Sequence, residues 1–190
     1  MVLILLIWLI LLLLFFTWGV ASVKVIRILT RYENDACVLS YDEYFFIGFF
    51  ILSAIAGILS IFFPMGKIFL LIICLLTLLF FIIYFAEIKL KICDEFSAYS
   101  DLTKLEKVGI WFLVLFVLTA VVQKITFEDT LTYHAQNIQW IQKYAVVPGL
   151  GNIRGAFAFN NMFFTISAIF DSTCLISVFS IFIALSMFWP

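Results

Sequence analysis

The residues best suited to chemistry in this 190-residue sequence gather in one polar stretch, from Phe127 to Asn152. Glu128 and Asp129 are adjacent carboxylates, and Tyr133 and His134, the single histidine, follow about one helical turn later. Asp129 and Tyr133 are four residues apart, so on a helix they share a face. Such a cluster can hold a divalent cation through its oxygens. It can equally supply a general base that takes the proton of a hydroxyl nucleophile. Arg154, just beyond, carries the planar fork that grips a phosphate at two points. Each residue also has a plainer use. Adjacent acids cap a helix and suit its dipole, a lone interfacial histidine hydrogen-bonds at the surface, and an arginine snorkels to headgroups. Asn160 and Asn161 read as hydrogen bonders between helices. Cys37, Cys74, Cys93 and Cys174 are scattered with no C-x-x-C pair and read as plain thiols.

The elements that must position these residues are apolar. The chain is 66% hydrophobic and 12% charged, where an ordinary soluble domain runs at roughly 45–50% and about 25%. Its mean hydropathy is +1.22. A soluble fold of this length keeps too large an outer shell to hide so much apolar surface. With a net charge of −1 there is no basic face to neutralise phosphates, which excludes nucleic acid as a partner. The partner is a lipid bilayer, where a segment satisfies its own backbone by becoming a helix and needs about 20 apolar residues to cross.

The apolar runs predict an all-α, polytopic transmembrane helix bundle of about six spans, one integral membrane domain over residues 1–190. The spans fall at about 2–23, 44–63, 68–86, 108–124, 156–170 and 174–190. Asp171 inside one long helix would cost about 2.5–3.5 kcal/mol, which favours a break there. Segment 156–170 is short for a crossing and reads as a tilted helix or a re-entrant piece. The first run has no basic residue ahead of it and is long for a signal peptide, so it reads as a retained anchor. Seven basic residues fall in the loops 24–43 and 87–107 against four in the turn 64–67 and the loop beyond 122. That bias puts the former, read as solvated connectors, in the cytoplasm and loop 125–155 outside.

Within that extracytoplasmic loop Leu131, Ala135, Ile138, Ile141 and Tyr144 recur at helical spacing, with Thr132, Gln136, Gln139 and Lys143 elsewhere. Asp129 or Thr130 is a good N-cap, and Trp140 and Tyr144 favour the headgroup level. The pattern predicts one amphipathic helix lying in the interface, ended by the turn Pro148-Gly149-Leu150-Gly151.

A span that exits at an acidic residue, a surface helix bearing Tyr133-His134 and Trp140, and a turn at Pro148-Gly149 into the next span resemble a known arrangement. It is the first extracytoplasmic catalytic loop of the GT-C superfamily, polytopic glycosyltransferases that use polyprenyl-phosphate sugars. Residues 127–164 carry the resemblance. They are also similar to a group of bacterial multi-pass membrane proteins linked to surface polysaccharide and the cell envelope. The resemblance implies a place in the bacterial cytoplasmic membrane and a lipid-phosphate sugar entering laterally. Asp129 would deprotonate the acceptor hydroxyl or hold a divalent cation beside Glu128, with Tyr133, His134 and Arg154 as substrate contacts. In most members the acidic loop follows the first helix, and the chains carry many more helices, so this chain is expected to be the N-terminal part of a longer protein. Two other functions compete. A transporter or flippase component for lipid-linked glycans would need polar groups near the midplane, and the first four spans hold almost none. A non-catalytic membrane subunit would use Ser53 and Gly57 as a small-x-x-x-small face for a partner helix.

Overall fold

Helix is the only regular structure among the described residues, as the obligation to satisfy the backbone in lipid requires. The computed structural model describes residues 2–31, 39–122, 135–153, 155 and 162–170. The elements are α1 (Val2–Thr30), α2 (Tyr41–Leu59), α3 (Lys67–Ile83), α4 (Phe85–Asp101), α5 (Lys104–Val122), α6 (Ala135–Lys143), α7 (Leu150–Ile153) and α8 (Met162–Phe170). By length and composition α1 and α2 are able to cross a membrane, and α3 with α4 form a third candidate bent by 83°. The chain is therefore an all-helical membrane protein with two to three candidate spans among its described residues. Span 174–190 lies outside them. Apolar side chains along α3, from Ile68 through Leu75 to Ile82, stand exposed, as contact with lipid tails allows.

The connectors differ from the sequence reading. Residues 24–43 were expected as a loop, yet α1 continues through Lys24 and Arg27, and α2 begins already at Tyr41. Residues 87–107 were expected as a second connector and instead form α4 and the start of α5. Both misreadings have one cause. Charged residues end a hydrocarbon crossing, but they do not end a helix when each finds water or a partner. The ammonium of Lys24 pairs with Glu87 at 2.6 Å.

The described residues cluster into two units, 1–52 with 75–122, and 53–74 with 123–190. The first is held by a close contact of α1 and α2. A Cβ built on Gly19 would overlap the carbonyl oxygen of Tyr44, and one on Gly48 would overlap that of Phe15. Without side chains there, the two backbones meet directly, in the small-residue packing that membrane helices favour. The Phe15 ring then sits edge-on between Phe45 and Phe49, at 5.6 and 5.3 Å. Phe16 stacks on Tyr41 at 4.2 Å in a buried cluster with Val20, Tyr44 and Ile88. The Trp18 indole donates to the Thr77 hydroxyl at 2.9 Å, and Lys91 donates to the Leu39 carbonyl at 3.0 Å.

Capping boxes begin α2 and α5. The Ser40 N–H and hydroxyl both donate to Glu43. At α5 the Thr103 N–H and hydroxyl donate to Glu106 Oε2 at 2.8 and 2.7 Å, which uses donors that a helix start leaves idle. Chiefly the Thr103 hydroxyl, then its backbone N–H, hold the exposed Glu106 carboxyl below its ordinary value of 4.5. A depressed carboxyl stabilises the folded form above its unfolded value and loses that contribution as pH falls through the folded one. Hydrogen exchange should therefore show the first turn of α5 losing protection below about pH 4.5, and Glu106→Gln should remove that pH dependence.

Candidate functional site

The second unit holds the described part of the polar loop. The described turns of α6 are positioned by packing. Ile138 is 1% exposed and Asn137 is buried, while Gln136, Gln139 and Trp140 face outward. The inward stripe Ala135, Ile138 and Ile141 matches the predicted periodicity. Tyr144 does not belong to it: its N–H still donates to the Trp140 carbonyl at 2.9 Å, but repeated three-residue steps drift round the helix, and its ring faces outward at 52% exposure.

Three contacts fix α6. Its Ile141 carbonyl, left without an intrahelical donor by the helix end, accepts from the Met65 N–H at 2.8 Å. Gly66 approaches so closely that a Cβ there would lie 2.8 Å from the Gln142 carbonyl oxygen. The Gln142 side-chain amide donates to the Ala168 carbonyl of α8 at 3.0 Å. The Val146 N–H also donates to the Ser60 carbonyl at 3.2 Å. The α2–α3 turn thus grips the C-terminal end of α6, and Met65 is wholly buried.

The chain reverses as predicted at Pro148-Gly149. Gly149 has φ +84°, and the Leu150 N–H closes on the Val147 carbonyl at 3.4 Å. Proline then glycine at the two central positions is the preference of a type II turn. Downstream, the described part of the expected segment 156–170 is helical, as α8. Its side chains from Phe164 to Phe170 are all buried. Gly57 of α2 faces the Met162 side chain at 3.5 Å, so the small face read as a docking surface is covered by the protein's own chain.

Glu128, Asp129, Tyr133, His134 and Arg154 lie outside the described residues, as do Asn160, Asn161, Cys37 and Cys174. Cys74 and Cys93 are exposed free thiols. No group of three metal-ligating side chains converges among the described residues. What the structure adds is the outward surface of α6. Gln136, Gln139, Trp140, Lys143 and Tyr144 line an open hollow, and the Trp140 and Tyr144 rings lie 5.1 Å apart, tilted by 39°. From the sequence these two aromatics read as headgroup-level residues, separate from the glutamines. Their shared spacing on one helix was the available signal.

The chain belongs to the family described as Domain of unknown function (DUF8201), which matches residues 1–189. No curated protein and no solved structure matches it.

Proposed function

We propose that this chain carries the catalytic loop of a GT-C-like glycosyltransferase, on the outer face of a bacterial cytoplasmic membrane. An acceptor hydroxyl oxygen attacks the anomeric carbon of a polyprenyl-phosphate sugar. The bond from that carbon to the phosphate oxygen breaks, and the lipid phosphate leaves. Asp129 takes the hydroxyl proton, with Glu128 beside it and Tyr133, His134 and Arg154 contacting substrate. A divalent cation held by the acids would screen the departing phosphate.

One observation carries this reading: α6 is hydrogen-bonded to the α2–α3 turn, through Ile141 and Met65. Charge bias assigns residues 64–67 and 125–155 to the same side of the membrane, and contact between them favours that assignment. A helix in the same loop as the acidic pair, fixed to the turn between α2 and α3, would keep a lipid-linked donor's tail in the bilayer while its sugar meets a wet acceptor.

The test is the full chain in vesicles holding a radiolabelled polyprenyl-phosphate hexose and a hydroxyl acceptor. Transfer of label to the acceptor is expected. Movement of labelled lipid between leaflets without transfer would overturn the reading in favour of a flippase component, and neither activity would favour a non-catalytic subunit.

A further inference from the structure

Packing against protein leaves one side of α6 open. On that side Gln136, Gln139, Trp140, Lys143 and Tyr144 follow at three- and four-residue helical spacing, which lines them up over two turns. They border an open hollow of about 270 Å³. Sites for drug-sized ligands run from roughly 300 to 1,000 Å³, so this one suits a single ring with a small substituent. We propose that it binds a phosphorylated pyranose. That the phosphate also bears a lipid rests on the transferase reading above.

Each residue type matches a part of that ligand. Aromatic faces carry negative charge density and attract the slightly positive C–H edge of a sugar ring. The tilted pair of Trp140 and Tyr144 presents such a surface. Each glutamine offers both a donor and an acceptor, which is what a hydroxyl-rich ring needs on two sides. Lys143 supplies a point charge for phosphate, and among the described residues no carboxylate lines the hollow. A lipid anchor would require an apolar face, whereas Gln136 and Gln139 stand in this stripe beside the rings. The support is rigid as well. The Met65–Ile141 and Gln142–Ala168 hydrogen bonds fix the helix before any ligand arrives, which lowers the ordering cost of binding.

The experiment is calorimetric titration of the full chain in detergent with glucose 1-phosphate, with glucose and with a polyprenyl-phosphate glucose. Both phosphorylated probes are expected to bind. Trp140→Leu should weaken each at least tenfold, and Lys143→Gln should abolish the preference for glucose 1-phosphate over glucose. Both positions are exposed, and an unchanged elution volume will show that the variants fold. Tighter binding of the polyprenyl probe assigns the site to a lipid-linked sugar, and equal binding assigns it to a soluble sugar phosphate. Failure of both phosphorylated probes to bind overturns the proposal, and so does undiminished binding in Trp140→Leu. Transfer is scored separately: binding without transfer removes the transferase reading alone, and transfer with Trp140→Leu unaffected removes this site alone.

Discussion

Gly48→Ala is expected to abolish the folded protein, with at least a tenfold loss of material that survives extraction as a single species. A Cβ at position 48 would lie 2.5 Å from the Gly19 nitrogen and closer still to the Phe15 carbonyl oxygen. Both are backbone atoms of a helix, which cannot rotate aside as a side chain would. Overpacking where neighbours can yield costs typically about 1–3 kcal/mol. Here α1 and α2 must part, and the contacts of Phe15 with Phe45 and Phe49 part with them. The cost then sits at or above the top of that range, against a total stability of about 5–15 kcal/mol for a typical domain. Gly19→Ala should behave alike, since its Cβ meets Tyr44 backbone. Gly57→Ala is the matched control, because Met162 at 3.5 Å leaves ordinary contact distance. Equal recovery of Gly48→Ala and Gly57→Ala would refute the backbone contact.

Asp129→Asn should lower sugar transfer by about 10²- to 10⁴-fold, the range that a positioned general base contributes. The choice of asparagine separates chemistry from structure. Asparagine caps a helix about as well as aspartate, so a residue that only starts the surface helix would tolerate the change at full rate. It cannot accept the acceptor's proton, so a base would not. Glu128→Gln should cost less, since it removes a neighbouring charge and leaves the base. The readout is the initial rate in reconstituted vesicles, with thermal stability measured alongside. An unaltered rate in Asp129→Asn would leave the acid with a capping role only.

The helical membrane class was legible because composition and run length act over tens of residues. The ends were not, because hydropathy reports where lipid stops and capping reports where a helix stops. Ser40 with Glu43 and Thr103 with Glu106 carry the S/T-x-x-E spacing that starts a helix, and that local signal outranked charge at both positions. The small-residue spacing stands out at Ser53 and Gly57, whereas the direct backbone contact lies at Gly19 and Gly48. Spacing within one helix cannot say which partner comes near, and these two glycines lie on different helices. Around the site, the inward stripe of α6 and the turn at Gly149 followed from periodicity and proline–glycine chemistry. The grip of Met65 on Ile141 joins residues 76 positions apart in the sequence, and no local pattern encodes it.

The bend at Tyr84 bears on the membrane this protein would fit. α3 has 17 residues, about 26 Å of rise, and α4 turns away by 83°, so α4 adds little length along the α3 axis. Its attachments hold it there, since Lys91 reaches Leu39, Glu87 meets Lys24, and Ile88 is buried in the Phe16 cluster. A hydrocarbon layer is roughly 30 Å thick. A crossing made by α3 alone would therefore need thinner lipid around it, at a cost of fractions of a kcal/mol per ångström of mismatch. Short-chain bilayers relieve that mismatch, and sterol-thickened ones aggravate it.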